Sequence, residues 1–156
     1  MVCRLHRQSG AAAVEMALAT LMLIVVLLVL VDVSRWLHAW NAASDATRLG
    51  ARLASICERS ADGQRAVRDQ MRPWLPELAP ARAAQVIRVE YQDSTGASSP
   101  TCGVDDCRQV SVWLDGYAIS ALGGLVPGGA LPLPRLRATV IREGLQSRTG
   151  ACRPAS

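Results

Sequence analysis

The chain has 156 residues and a mass of 16.7 kDa, which is room for one compact unit and excludes a multidomain enzyme. Half of its residues are hydrophobic and 19% are charged, which excludes the disordered class. All 17 basic side chains are arginine, set against 13 acids for a net charge of +4, and they are spread along a chain that has no phenylalanine. A binder that stacks bases on aromatics is therefore not expected, and neither is a nucleic-acid partner.

The apolar content is concentrated near the N-terminus. Residues 16 to 31 read MALATLMLIVVLLVLV without a charge, and from Ala11 to Val31 the greasy run is broken only by Glu15. Crossing about 30 Å of hydrocarbon takes about 20 helical residues, and this stretch supplies them. Arg4, His6 and Arg7 precede it and Asp32 is the first charge beyond it, which predicts a cytoplasmic N-terminus and a C-terminal part outside the inner membrane. A cleaved secretory signal is the simpler alternative. The apolar run is longer than a signal h-region, however, and VSRWLHAWNAASDATRLGARLAS continues it with helical periodicity.

Glu15 is the chemical anomaly of this segment. An ionisable group in a span costs about 2.5–3.5 kcal/mol at the centre and less near an end, so a partner is expected. If the chain were cut after Gly10, the new α-amine of Ala11 would lie four residues before the carboxylate, and that amine, or one from a neighbouring subunit, would neutralise it. The bland alternative is a side chain that snorkels to the headgroups.

The stretch Gly10-Ala11-Ala12-Ala13-Val14-Glu15, after a short basic leader and before an unbroken apolar helix, resembles a type IV prepilin cleavage and assembly segment. More narrowly, residues 7 to 54 resemble the start of TadE-like proteins, minor pseudopilins of the tight-adherence (Flp) pilus system, and RLRATVIREG resembles that family's closing strand. The resemblance implies cleavage after Gly10 by a prepilin peptidase, Ala11 as the new N-terminus and Glu15 as the fifth mature residue. Where the Flp group usually has an aromatic after this glutamate, the chain has Met16. The resemblance also implies assembly contacts through Glu15 and Met16, with other pilin and pseudopilin subunits as partners.

Past the membrane the helix is predicted to continue to about Cys57. Ala39, Ala42, Ala46, Leu49, Leu53 and Ile56 form one stripe, and Asn41, Asp45, Arg48, Arg52, Ser55 and Arg59 a wet one. Trp36 and Trp40 read as an interfacial aromatic belt. A short second helix is expected after Ser60-Ala61-Asp62-Gly63, with Asp62 as its candidate N-cap, Val67 and Met71 on one side and Pro73, Pro76 and Pro80 ending it. Alternation predicts strands at Gln85 to Gln92, around Val110, Val112 and Leu114, and around Leu136, Ala138 and Val140. Residues 118 to 134, AISALGGLVPGGALPLP, are expected to form no regular element. They read as a loop packed across the sheet edge or as an exposed adhesive or assembly patch. The fold class is thus α+β and pilin-like: a leader (1–10), a long helix (11–57) with its membrane part at 11–31, and a small antiparallel head (58–156).

Without Cys3 in the leader, four cysteines remain on the oxidising side and allow three pairings. The favoured one joins Cys102 to Cys107 and Cys57 to Cys152. No metal site is expected, because His38 is the only histidine beyond the leader and Asp105-Asp106 lack the calcium-loop pattern. No nucleophile elbow, phosphate loop or H-E-x-x-H occurs, so no catalytic residue, cofactor or small-molecule substrate is expected. The leading reading is a minor pseudopilin of a Tad pilus. Its rivals are an uncleaved single-span periplasmic scaffold or binding protein of an envelope secretion complex, and a domain released by signal peptidase.

Overall fold

The computed structural model describes residues 9–57, 59–98, 107–142 and Cys152. One helix dominates it. α1, Ser9–Ile56, runs unbroken for 48 residues, about 72 Å at 1.5 Å per residue, because no proline interrupts it and its only glycine beyond the first turn is Gly50. α2, Ala61–Met71, is followed by a 3-10 turn at Arg72–Trp74 and by α3, Pro80–Val86. Five strands complete the head: β1, Ile87–Gln92; β2, Gln109–Leu114; β3, Ala118–Ser120; β4, Ala130–Pro132; and β5, Arg137–Ile141.

β1, β2 and β5 form one antiparallel sheet with β2 in the centre. Ile87 faces Leu114 at one end and Gln92 faces Gln109 at the other, while Gln109 to Trp113 pair with Ile141 to Arg137. Val110, Val112 and Leu114 of the central strand are fully or nearly fully buried, together with Ile87 and Tyr91 of β1. This α+β arrangement, a long apolar-ended helix packed on a small antiparallel sheet, is the pilin-like fold the alternation predicted.

The outer half of α1 buries small residues: Ala39, Ala43, Ala46, Gly50, Ala51 and Ala54. Small side chains let the sheet and α2 approach the helix axis closely. Gly50 marks the closest approach, since a Cβ there would lie 2.2 Å from Sδ of Met71, itself fully buried on α2. Asn41, Asp45, Arg48 and Arg52 are exposed as expected, whereas Ser55 is buried and satisfies its hydroxyl by donating to the Arg52 carbonyl (2.7 Å). Ala42, Leu49 and Ile56 are only partly buried, so the inner stripe is centred on Ala43, Ala46 and Gly50.

Four other local expectations change. Ser60, not Asp62, caps α2, in extended backbone with its hydroxyl accepting from the Gly63 amide (3.0 Å). Pro80 opens a helix where it was expected to close one, since a first-turn proline loses no helical hydrogen bond. Gln85 and Val86 consequently lie in α3, and the first strand begins at Ile87. Residues 118–134 also contain regular structure: β3 and β4 pair as a hairpin, Ala118 with Pro132 and Ser120 with Ala130, around a tight turn at Ala121–Gly124.

At the membrane-distal end, Cys57 and Cys152 form a disulfide with Cα atoms 5.4 Å apart, tying the tail to the end of α1. On the chain-entropy picture, a bridge closing 95 residues contributes about 4–5 kcal/mol. Cys107 is disulfide-bonded as well, while Cys102, its expected partner, lies outside the described residues together with Asp105, Asp106 and residues 1–8 of the leader.

Candidate functional site: the exposed half of the long helix and its junction with the head

Among the described residues nothing covers the inner half of α1. The large apolar side chains from Val14 to Val31 are between 43% and 72% exposed, and the most apolar stretch has a mean hydropathy of 2.9 with none of it buried. In water such a surface would cost roughly 25 cal/mol for each Å² of apolar area, which no soluble fold leaves unmet over five turns. The helix is long and apolar enough to cross a membrane, and one such helix at the N-terminus fits a single-pass protein.

Gly10, Ala11, Glu15 and Met16 occupy the first two turns of α1 and are all exposed. Gly10 has nothing within 4 Å of where a Cβ would stand. Helical spacing places Ala11 and Glu15 one above the other on one face, four residues apart. No ion pair is recorded for Glu15 among the described residues, so the structure brings the four together as a local helical patch and offers that carboxylate no cation from the head.

Sequence reasoning missed a second constellation, where the head clasps the helix just beyond the span. Asp32 and Arg35 lie one turn apart on α1, with Arg35 Nη1 3.3 Å from Asp32 Oδ1. Arg35 Nη2 reaches Glu77 Oε1 at 2.7 Å, and Arg35 Nη1 also donates to the Ser120 carbonyl at 3.3 Å. Glu77 accepts from the amide and hydroxyl of Ser120 at 2.7 and 2.8 Å, and both oxygens of Asp32 accept from the Leu122 amide at 2.9 Å. Trp36 donates from Nε1 to the Pro132 carbonyl at 3.3 Å and meets Trp40 edge to face at 4.8 Å. Trp36, expected from the sequence to be a membrane-boundary aromatic, is thus a joint between helix and hairpin.

The backbone is strained at this junction. Glu77 and Leu122 are the non-glycine residues at positive φ among those described, at 62° and 46°, a region costing roughly 1–2 kcal/mol for a residue with a Cβ. Each is held by the clasp, Glu77 through its carboxylate and Leu122 through its amide. Behind Glu77, Tyr117 donates to the Pro76 carbonyl at 2.6 Å, and burial, helped by the nearby Glu77 charge, pushes its phenol up to about 12. The Ser120 amide holds the Glu77 carboxyl below its ordinary value, with the Ser120 hydroxyl and Arg35 acting in the same direction against partial burial.

Among the described residues no group of three or more His, Cys, Asp or Glu side chains comes together. His38 is exposed on α1. The arrangement binds and positions, and its polar atoms at the junction are used to hold elements to one another.

No curated protein and no solved structure matches the chain. A family model, described as TadE-like protein, matches residues 10–52. The match begins at the glycine before Ala11, takes in Glu15 and the whole apolar half, and ends within the small-residue stripe that carries the head. It supports a place in the Tad pilus system. Residues 10–52 of this chain are thus similar to TadE-like proteins, and the helix they form is the segment on which the head is built.

Proposed function

We propose that the protein is a minor pilin or pseudopilin that acts in assembly of a Tad (Flp) pilus after cleavage between Gly10 and Ala11. A prepilin peptidase removes the leader, Ala11 becomes the N-terminus, and Glu15 meets that amine or its counterpart on a neighbouring subunit. Met16 fills the place beside it in the packed helices. The chain sits in the inner membrane with its N-terminus cytoplasmic and the disulfide-bonded head (58–156) periplasmic, and it enters a pilus through the apolar helix. The work is packing, with no substrate turned over.

The observation that carries this reading is the coincidence of the TadE-like match with a helix half that the described residues leave uncovered, containing one carboxylate without a partner among those residues of the head. Removing one partner of a buried ion pair costs about 3–5 kcal/mol because the other charge is left uncompensated, and such a pair sets axial register between helices. Replacing Glu15 by Ala tests it: membrane insertion is retained while pilus assembly falls sharply. Assembly unchanged by Glu15→Ala would point instead to an uncleaved periplasmic scaffold.

A further inference from the structure

We propose that the tip of the β3–β4 hairpin is a second membrane contact, seated in the outer edge of the bilayer beside α1. The inference rests on α1 being the membrane span and not on cleavage of the leader. Its starting point is axial level. Asp32 stands about 32 Å along the helix from Ala11 at 1.5 Å per residue, which is one hydrocarbon thickness. The Leu122 amide is bonded to that Asp32 carboxylate, so the hairpin tip is pinned at the boundary of the span.

The composition of the tip matches that level. Residues 118 to 134 carry no charged side chain in a chain that is 19% charged. Leu125 is 79% exposed and Val126 is 44% exposed, with Pro127 and two glycines following. Between this tip and α1 lies an open groove of about 660 Å³, lined mainly by apolar side chains, among them Val29, Val33 and Trp36 on the helix and Val126 and Leu131 on the hairpin, with the Asp32 carboxylate, bonded to the Leu122 amide, as its one charged group. Its apolar walls run on into the lipid-exposed face of α1 at Val29, so the two surfaces form one continuous apolar patch.

The nearest charges are already covered, as a boundary position requires. Asp32 is paired with Arg35 and bonded to the Leu122 amide, Arg35 is paired with Glu77, and Glu77 is bonded to Ser120. The charged groups at this edge of the head are therefore paired within the clasp, Arg35 and Glu77 remaining 33% and 35% exposed, and Leu125 and Val126 are the large apolar side chains it leaves uncovered. Acyl chains of the outer leaflet are the occupant that fits both the groove and the tip, and the hairpin wedges the head against the membrane surface.

The test uses the full chain in vesicles of phosphatidylethanolamine and phosphatidylglycerol. A nitroxide is carried on a ketone-bearing unnatural residue in place of Leu125 or, separately, Val126, so that the cysteines stay untouched. Reference labels replace Leu21 in the span and Ser94, exposed beyond the distal end of β1, where Arg59 and Tyr91 meet. Expected is a ratio of oxygen to nickel-chelate accessibility at 125 and 126 severalfold above that at 94 and below that at 21, as a position at the edge of the hydrocarbon requires. A ratio equal to that at 94, with 21 still lipid-like, overturns the inference and leaves the span intact. Shielding of 125 and 126 from both reagents also overturns it, and assigns the groove to another protein chain. A water-accessible label at 21 overturns the span and the hairpin contact together.

Discussion

The two halves of α1 invert the usual relation between size and burial. From Val14 to Val31 the helix carries its large side chains, Leu, Ile, Val and Met, and leaves them uncovered; from Ala39 to Ala54 what it buries is mainly alanine. One continuous helix is thus written for two environments. The inner half is matched to neighbours outside the chain, where large side chains gain from lipid or from packed helices. The outer half is matched to the head, where small side chains buy proximity to the sheet and α2. The head's stability consequently depends on the outer half and on the bridge at its end, while insertion across the membrane depends on the inner half.

The strongest way to break that division is at the distal end. Reducing or replacing the bridge with Cys57→Ser should cost the head about 4–5 kcal/mol in denaturant unfolding, on the loop-entropy picture, while membrane extraction behaviour stays unchanged. The reciprocal lesion is Val25→Arg, which places a charge in the middle of the span and costs about 2.5–3.5 kcal/mol of insertion. It should move the protein from the membrane to the soluble or degraded fraction, yet the purified head should melt as before. If either variant altered both properties, the two halves would be coupled.

A smaller effect sharpens the packing side. Gly50→Val forces Met71 to move, because the new Cβ alone would stand 2.2 Å from its Sδ, and overpacking of this kind costs about 1–3 kcal/mol. Thermal unfolding should report the loss, and an unchanged melting temperature would show that α1 and α2 are not locked there. The smallest expected effect is at the clasp. Binding by Ser120 and Arg35 holds the folded Glu77 carboxyl below its ordinary 4.5, so the stabilisation is fully present above that pH and is lost as pH falls through the lower folded value. The group is partly exposed, so the contribution is of order 0.2–1 kcal/mol. Stability measured from pH 7 down to 3 should fall less steeply in Glu77→Gln than in the parent chain, and identical slopes would remove the clasp from the account.

How much of this was legible depended on how local the cause was. Periodicity carried α1, the inner side of α2 at Val67 and Met71, and the alternation of Ile87 with Tyr91 and of Val110 with Val112, because each reports a face within a few residues. Caps and ends were less legible: Ser60 and Asp62 are both competent N-caps, and Pro80 fits the first turn of a helix as well as the end of one. The hairpin at 118–134 was hidden because its strands have three residues each, too short for alternation to register against glycine and proline. The clasp had no sequence signal at all. Arg35 meets Glu77 across 42 residues, and Asp32 meets Leu122 across 90, so only the folded chain brings them together. The same distance explains why Trp36, read as a membrane-boundary aromatic, also proves to hold Pro132.

The central claim is that an acid near the start of the span is met by an amine made by proteolysis, and the mass of the mature chain tests it most directly. Intact-mass analysis of the protein extracted from membranes of cells containing the prepilin peptidase should give a polypeptide that begins at Ala11 and still carries the whole of α1 from that residue onward. A polypeptide that retains residues 1–10 in those cells would contradict the account.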